Sequence, residues 1–145
     1  MNMTNEEYNE YIKKKQPRSP LGKDMLRAFL VGGAICTLGE ALRSAYASLG
    51  LDAENAGTAV SISLVFLGAL LTGTGLYDDI ARFAGAGTLV PITGFANSVV
   101  APALEFKREG LIPGTCAKMF TIAGPVIVYG TGASVLYGLL LCLFA

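Results

Sequence analysis

Two stretches of this chain run without a charged residue for longer than a soluble fold of 145 residues has use for: Met119 to Ala145, 27 residues, and Ala56 to Leu76, 21 residues. A helix rises about 1.5 Å per residue, so about 20 apolar residues cross a hydrocarbon layer about 30 Å thick. A third run, Ala28 to Gly39, extends through Glu40 and Arg43 to Leu49. The apolar residues are blocked rather than interleaved with polar ones, which disfavours a buried-core soluble helical protein. Only 15% of the residues are charged, below the usual share for a soluble domain. The expected fold class is an all-α integral membrane protein with spans near Lys23–Leu49, Ala56–Leu76 and from Met119 onward.

A fourth uncharged stretch, Phe83 to Leu104, is long enough to cross but poorly composed for a helix. It holds Gly85, Gly87 and Gly94, with Pro91 and Pro102. Glycine permits non-helical backbone, and proline removes a donor and restricts the residue before it. Irregular backbone at membrane depth survives only where protein or water satisfies its polar groups. Thr88, Thr93, Asn97 and Ser98 can supply such hydrogen bonds. The stretch therefore reads as a re-entrant or kinked element that lines a polar path or a buried interface.

Charge counting separates a full crossing from a re-entry. With four crossings, Arg43, Lys107, Arg108 and Lys118 face away from the basic N-terminus. With three crossings and a re-entry, ten of the 11 basic residues share its side, with Arg43 alone opposite. The positive-inside tendency favours three spans plus the re-entrant or kinked segment, four transmembrane helices being the alternative. The organisation expected is a cytoplasmic segment over residues 1–22 and a membrane domain over 23–145. Lys13, Lys14, Lys15, Arg18, Lys23 and Arg27 crowd the first 27 residues and suit anionic headgroups. No cleavable signal peptide is expected, since the polar start precedes a late apolar run. Within the N-terminal segment, Thr4 and Glu7 fit a capping box, Glu10 can pair with Lys14, and Tyr8, Tyr11 and Ile12 form a narrow apolar face. This is either a helix lying on headgroups or a frayed tail, and Pro17 and Pro20 end it.

Two further groups stand out. Glu40 and Arg43, three apart on one helix face, form either a buried functional pair or, as expected here, an interfacial pair at the far end of the first span. Gly130, Ser134 and Gly138 make a small-residue stripe on the last span, of the kind that lets helix backbones approach, although such a stripe can also face lipid. In the second span, Ala69 and Gly73 repeat that spacing, as do Gly68 and Thr72.

Enzyme signatures are missing. The chain has no histidine, so histidine acid–base or metal chemistry is excluded. The glycines of "AGAG" and "TGTG" fail G-x-G-x-x-G, because Val90 and Asp78 fill the sixth positions. Asp78, Asp79, Glu105 and Glu109 flank the unusual stretch without a calcium-loop spacing and read as solvated interfacial charges. Cys36, Cys116 and Cys142 are odd in number and lack metal-type spacing, so neither a disulfide nor a metal site is expected. Net charge is zero, which gives no reason to expect nucleic acid. No cofactor is expected.

The segment "YDDIARFAGAGTLVPITGFANSVVAPALEFKREGLIPG" resembles the signature of the stage V sporulation protein AC/AE family, membrane proteins of spore-forming bacteria. The likeness extends to "AFLVGGAICTLGEAL" and the final span, and "YIKKKQPRSPLGKDMLRAFLVGG" is similar to the N-terminal extension of the AC branch. The resemblance implies a multi-pass protein of the spore inner membrane. It implies a subunit of the channel system that moves dipicolinic acid with calcium in sporulation and germination, with tension-gated opening. A homo-oligomer or a complex with other sporulation membrane subunits is the expected assembly. The family brings no catalytic motif. A non-conducting scaffold subunit is the alternative.

Overall fold

The computed structural model describes residues 4–15 and 20–144. Pro17, Arg18 and Ala145 lie outside it, as do the side chains of Lys13 and Lys14 and so the expected Glu10–Lys14 pair. The described residues form helices and turns, with no strand among them. Six α-helices follow in chain order: α1 Asn5–Lys15, α2 Leu21–Ser48, α3 Ala53–Gly73, α4 Leu76–Ala84, α5 Pro91–Glu105 and α6 Ala117–Phe144. Three helical stretches are long and apolar enough to cross a membrane: Leu21–Ser48, Ala53–Gly73 and Leu111–Phe144.

Helix α1 starts at the capping box, where the Thr4 N–H donates to Glu7 Oε2 at 2.9 Å and the Glu7 N–H donates to Thr4 Oγ1 at 3.4 Å. Tyr8, Tyr11 and Ile12 are all exposed on it.

Helices α2 and α3 make an antiparallel pair, as a connection this short requires. Gly39 faces Leu64, and Tyr46 and Ser63 share a hydrogen bond of 2.7 Å. The buried stripe of α3 is Ala56, Val60, Leu64 and Gly68, one residue per turn on a single face. The sequence places the end of this span at Leu76, but α3 stops at Gly73. Gly75 adopts φ +80°, which turns the chain before Leu76.

Residues expected to close that span at the interface instead open a separate helix. Helix α4 is amphipathic: Tyr77 and Ala84 are buried, while Asp78, Asp79 and Arg82 face outward and pair, Arg82 to Asp78 at 2.7 Å. A 3-10 turn, Gly85–Thr88, follows, and Leu89 and Val90 lead into α5. Pro91 sits at the first position of α5, where its missing N–H costs nothing.

The direction of α5 follows from its neighbours. Gly68 lies against Thr93 and Ala96, and Thr72 meets Asn97, so α5 advances alongside α3 in the same sense. Its second half, with Ala101 and Leu104, reaches Tyr77 and Asp78 at the end of α3. A π-type turn, Leu111–Cys116, then starts the return. Helix α6 packs antiparallel on α5, with Val100, Ala103 and Leu104 facing Leu111, Thr115 and Met119. The start of α2 and the ends of α3 and α5 therefore lie at one end of the bundle, together with the start of α6. The segment α4–α5 enters from that end and returns to it.

Because α5 has 15 residues, about 22 Å, α6 outruns it. Ala123 is the last buried residue of α6, and from Pro125 to Phe144 every residue is exposed. All three cysteines are free thiols.

Candidate functional site

The broken segment is held by backbone rather than by interlocked side chains. A Cβ on Gly87 would stand 2.6 Å from the Ala28 carbonyl oxygen and 2.7 Å from Ala28 Cα, so no other residue fits there without moving α2. Across the same contact, a Cβ on Gly32 would lie 3.3 Å from the Gly87 oxygen. On the other side, a Cβ on Gly68 would stand 3.1 Å from the Thr93 oxygen and 3.2 Å from Ala96 Cβ. Small residues let the 3-10 turn sit on α2 and α5 sit on α3 at backbone distance.

Local polar bonds shape the break. Tyr77 is 4% exposed, and its hydroxyl donates to the Thr88 carbonyl at 2.9 Å, tying α4 to the turn. The Thr88 hydroxyl donates to the Gly85 carbonyl at 3.0 Å. The Thr72 hydroxyl reaches Asn97 Oδ1 at 2.9 Å and the Gly68 carbonyl at 2.7 Å, a polar link between α3 and α5. Ser98 turns back to the Phe95 carbonyl of its own helix at 2.8 Å. Thr93 stands apart: it is 6% exposed, and its hydroxyl oxygen is buried without a hydrogen-bond partner.

Two spaces border the segment. An open groove of about 460 Å³ lies between α2, α3 and α4; its walls include Leu30, Ile35, Leu64, Leu67 and Tyr77, with Thr93 of α5 among them. A cleft of about 270 Å³ is lined by Thr72, Tyr77, Asp78, Ala81, Asn97 and other residues of α5. The groove is apolar, the Tyr77 hydroxyl being bonded to the Thr88 carbonyl and the Thr93 hydroxyl buried, whereas the cleft carries a hydroxyl, an amide and a carboxylate.

The structure thus gathers Gly85, Gly87, Thr88, Pro91, Thr93, Gly94 and Asn97 in one element, with Ser98 on the same helix but bonded to its own backbone. The irregular backbone is confined to residues 85–90. Gly94 is helical, and its bare face allows the Thr88 carbonyl close, since a Cβ would lie 2.9 Å from that oxygen. Glu40 and Arg43 are elsewhere, joined by two bonds of 2.8 Å, with side chains 60% and 55% exposed. Gly130, Ser134 and Gly138 lie on the bare half of α6; Gly130 and Gly138 have nothing within 4 Å of where a Cβ would be.

Sequence reasoning gave Tyr77 only a place where the second span ends at the interface, passed over Gly32, and took Thr72 only as a small residue. The signal for Tyr77 was present: Tyr77, Ala81 and Ala84 recur at helical spacing, opposite Asp78, Asp79 and Arg82. Gly32 carried no local signal, because its partner Gly87 is remote in sequence.

Three helices able to span a membrane and a half-length element returning to its own side define an all-α membrane protein with a broken intramembrane segment. Residues 24–140 match the family described as SpoVAC/SpoVAEB sporulation membrane protein. The chain is 45% identical over 141 residues to stage V sporulation protein AC of Bacillus subtilis (strain 168), covering 95% of this chain and 94% of that one. The chain belongs to the SpoVAC/SpoVAEB family of sporulation membrane proteins. No solved structure matches it.

Proposed function

We propose that the chain is a subunit of a channel in the spore inner membrane that moves dipicolinic acid, with calcium, inward in sporulation and outward in germination. The observation that carries this reading is the broken element. Its helix α5 begins about 20 Å inward of the charged residues at its other end, as its 15-residue length requires. Discontinuous helices ending near the midplane are how many transporters place backbone groups on a solute path. The polar groups of Thr72, Asn97 and Asp78 lead along α5 toward the charged end. A bilayer under tension thins, and spanning helices answer a thinner hydrocarbon layer by tilting, which would move α2 and α3 against the element they hold. Opening by tension is part of the proposal.

The bare half of α6 favours a second reading, a non-conducting scaffold that joins other subunits. Purified protein in liposomes loaded with calcium dipicolinate separates the two. Release under osmotic tension by this chain alone is expected of the channel. Silence until other sporulation membrane proteins are added is expected of the scaffold.

A further inference from the structure

An open groove of about 410 Å³ runs between the first turns of α2 and the end of α4. Met25, Ala28 and Phe83 give it apolar walls, and Asp24, Arg27 and Arg82 bring it three charges. Helix α2 has 28 residues and is about 42 Å long, more than a hydrocarbon layer of about 30 Å needs. Its charged first turns, Lys23 to Arg27, therefore stand at headgroup level, with the groove beside them.

The three charges are not equivalent. Arg82 is engaged on its own helix, 2.7 Å from Asp78 and 3.9 Å from Asp79. Asp24 and Arg27 lie three apart on α2, the spacing at which Glu40 and Arg43 of the same helix make two bonds of 2.8 Å. Asp24 and Arg27 do not pair, and among the described residues neither has an ion-pair partner. Arg27 instead lays its guanidinium over the Phe83 ring, 4.9 Å from the centroid. Stacking orders the guanidinium and uses none of its five N–H donors. One groove thus carries a held cation and a separate carboxylate, each without a counter-charge. Residues three apart on a helix have Cβ atoms about 5–6 Å apart, a separation that one small zwitterion bridges.

A free phosphate would meet Arg27 but also the Asp24 carboxylate, and it would leave the apolar walls bare. A purely anionic lipid fills the walls and is opposed by the same carboxylate. A phosphodiester followed by a primary ammonium, on acyl chains, matches the cation, the carboxylate and the walls together. We infer that the groove binds phosphatidylethanolamine. Arg27 holds the phosphodiester, Asp24 accepts from the ammonium, and Met25, Ala28 and Phe83 receive the upper part of a chain. The site is independent of the channel reading and stands whether or not the protein conducts.

The test places the full-length protein in vesicles of equal parts dioleoyl phosphatidylethanolamine, phosphatidylglycerol and phosphatidylcholine. The protein is extracted in mild detergent, and native mass spectrometry counts the lipid it retains. One phosphatidylethanolamine per chain is expected, enriched over phosphatidylglycerol, which has no ammonium, and over phosphatidylcholine, whose methylated nitrogen cannot donate. Asp24→Asn removes a carboxylate without a protein partner, so the variant folds. Its retention of phosphatidylethanolamine falls roughly fivefold to tenfold, between the scales of a surface ion pair and of a hydrogen bond to a charged group, and its preference over phosphatidylglycerol disappears. Arg27→Gln lowers retention of all three lipids. Lys23→Gln removes a neighbouring charge that does not line the groove and leaves retention unchanged. Should Arg27→Gln also melt lower through loss of its stack on Phe83, Asp24→Asn decides alone. No retained lipid, phosphatidylglycerol retained as well as phosphatidylethanolamine by the parent, or an unchanged preference in Asp24→Asn overturns the site. An equal loss in Lys23→Gln and Arg27→Gln overturns it too, and assigns the lipid to the basic surface at large.

Discussion

At the scale of single residues, Gly87 is the most constrained position in the seat. Gly87→Ala places a methyl group inside the contact distance of the Ala28 backbone, and a helix backbone cannot swing aside as a side chain can. Overpacking of this kind costs about 1–3 kcal/mol or more. The expected result is a lower melting temperature in detergent and less protein in the membrane. Gly33→Ala is the matched control. It lies in α2 beside the seat, has nothing within 4 Å of the added carbon, and gains about 0.5–1 kcal/mol of helix propensity. If Gly87→Ala melts as high as Gly33→Ala, the turn does not rest on α2 as described. The Glu40–Arg43 pair stands at the opposite extreme. Both side chains are more than half exposed and bond to each other without a third group. Glu40→Gln and Arg43→Gln are each expected to leave abundance and assembly unchanged. Severe single variants rescued by the double substitution would show that a partner covers this face.

At the scale of elements, the direction of α5 is testable by labelling from the two sides of the membrane. With the native cysteines replaced, a cysteine at Lys107 is expected to react from the side of the N-terminus, and one at Phe144 from the opposite side. A position-107 cysteine that reacts only from the far side would restore four crossings. The three long helices were legible in the sequence, because length and lack of charge suffice to define a span. The break at Gly85–Val90 was legible too, from glycines that leave the backbone free and a proline that opens the next helix. Helix α4 was not read as a separate element. Thr74 and Gly75 carry no charge, so hydropathy runs on past the turn that φ of Gly75 makes. The apolar groove was also out of reach, since it depends on α2, α3 and α4 meeting beside Thr93. That residue was picked out as a hydrogen-bonding group for the irregular backbone, yet in the fold its hydroxyl has no partner.

At the scale of the whole molecule, the half-length of α5 leaves the second half of α6 without a neighbour among the described residues. A helix can face lipid there at no cost. The stripe Gly130, Ser134 and Gly138 nevertheless provides a surface on which a second helix comes close, and Ser134 bonds only to the Gly130 carbonyl of its own helix, at 2.9 Å. Gly130→Leu or Gly138→Leu is expected to abolish assembly while the protein still inserts, as read by cross-linking in the membrane beside membrane abundance. Normal assembly of both variants would assign the stripe to lipid.

The glycine seat also bears on how the protein is made. Gly32 and Gly68 both precede the element they receive, so α2 and α3 emerge from the ribosome ahead of residues 85–105. Translation adds about 5–20 residues per second, which gives the pair time to form before the broken segment appears. The segment, too irregular to enter lipid unaided, then meets a finished template instead of bare hydrocarbon. Chain order thus does the work of a chaperone. A circular permutant that synthesises residues 76–144 first would present the break to the membrane with nothing to sit on, and its yield of inserted protein is expected to fall even though every contact of the final fold remains available.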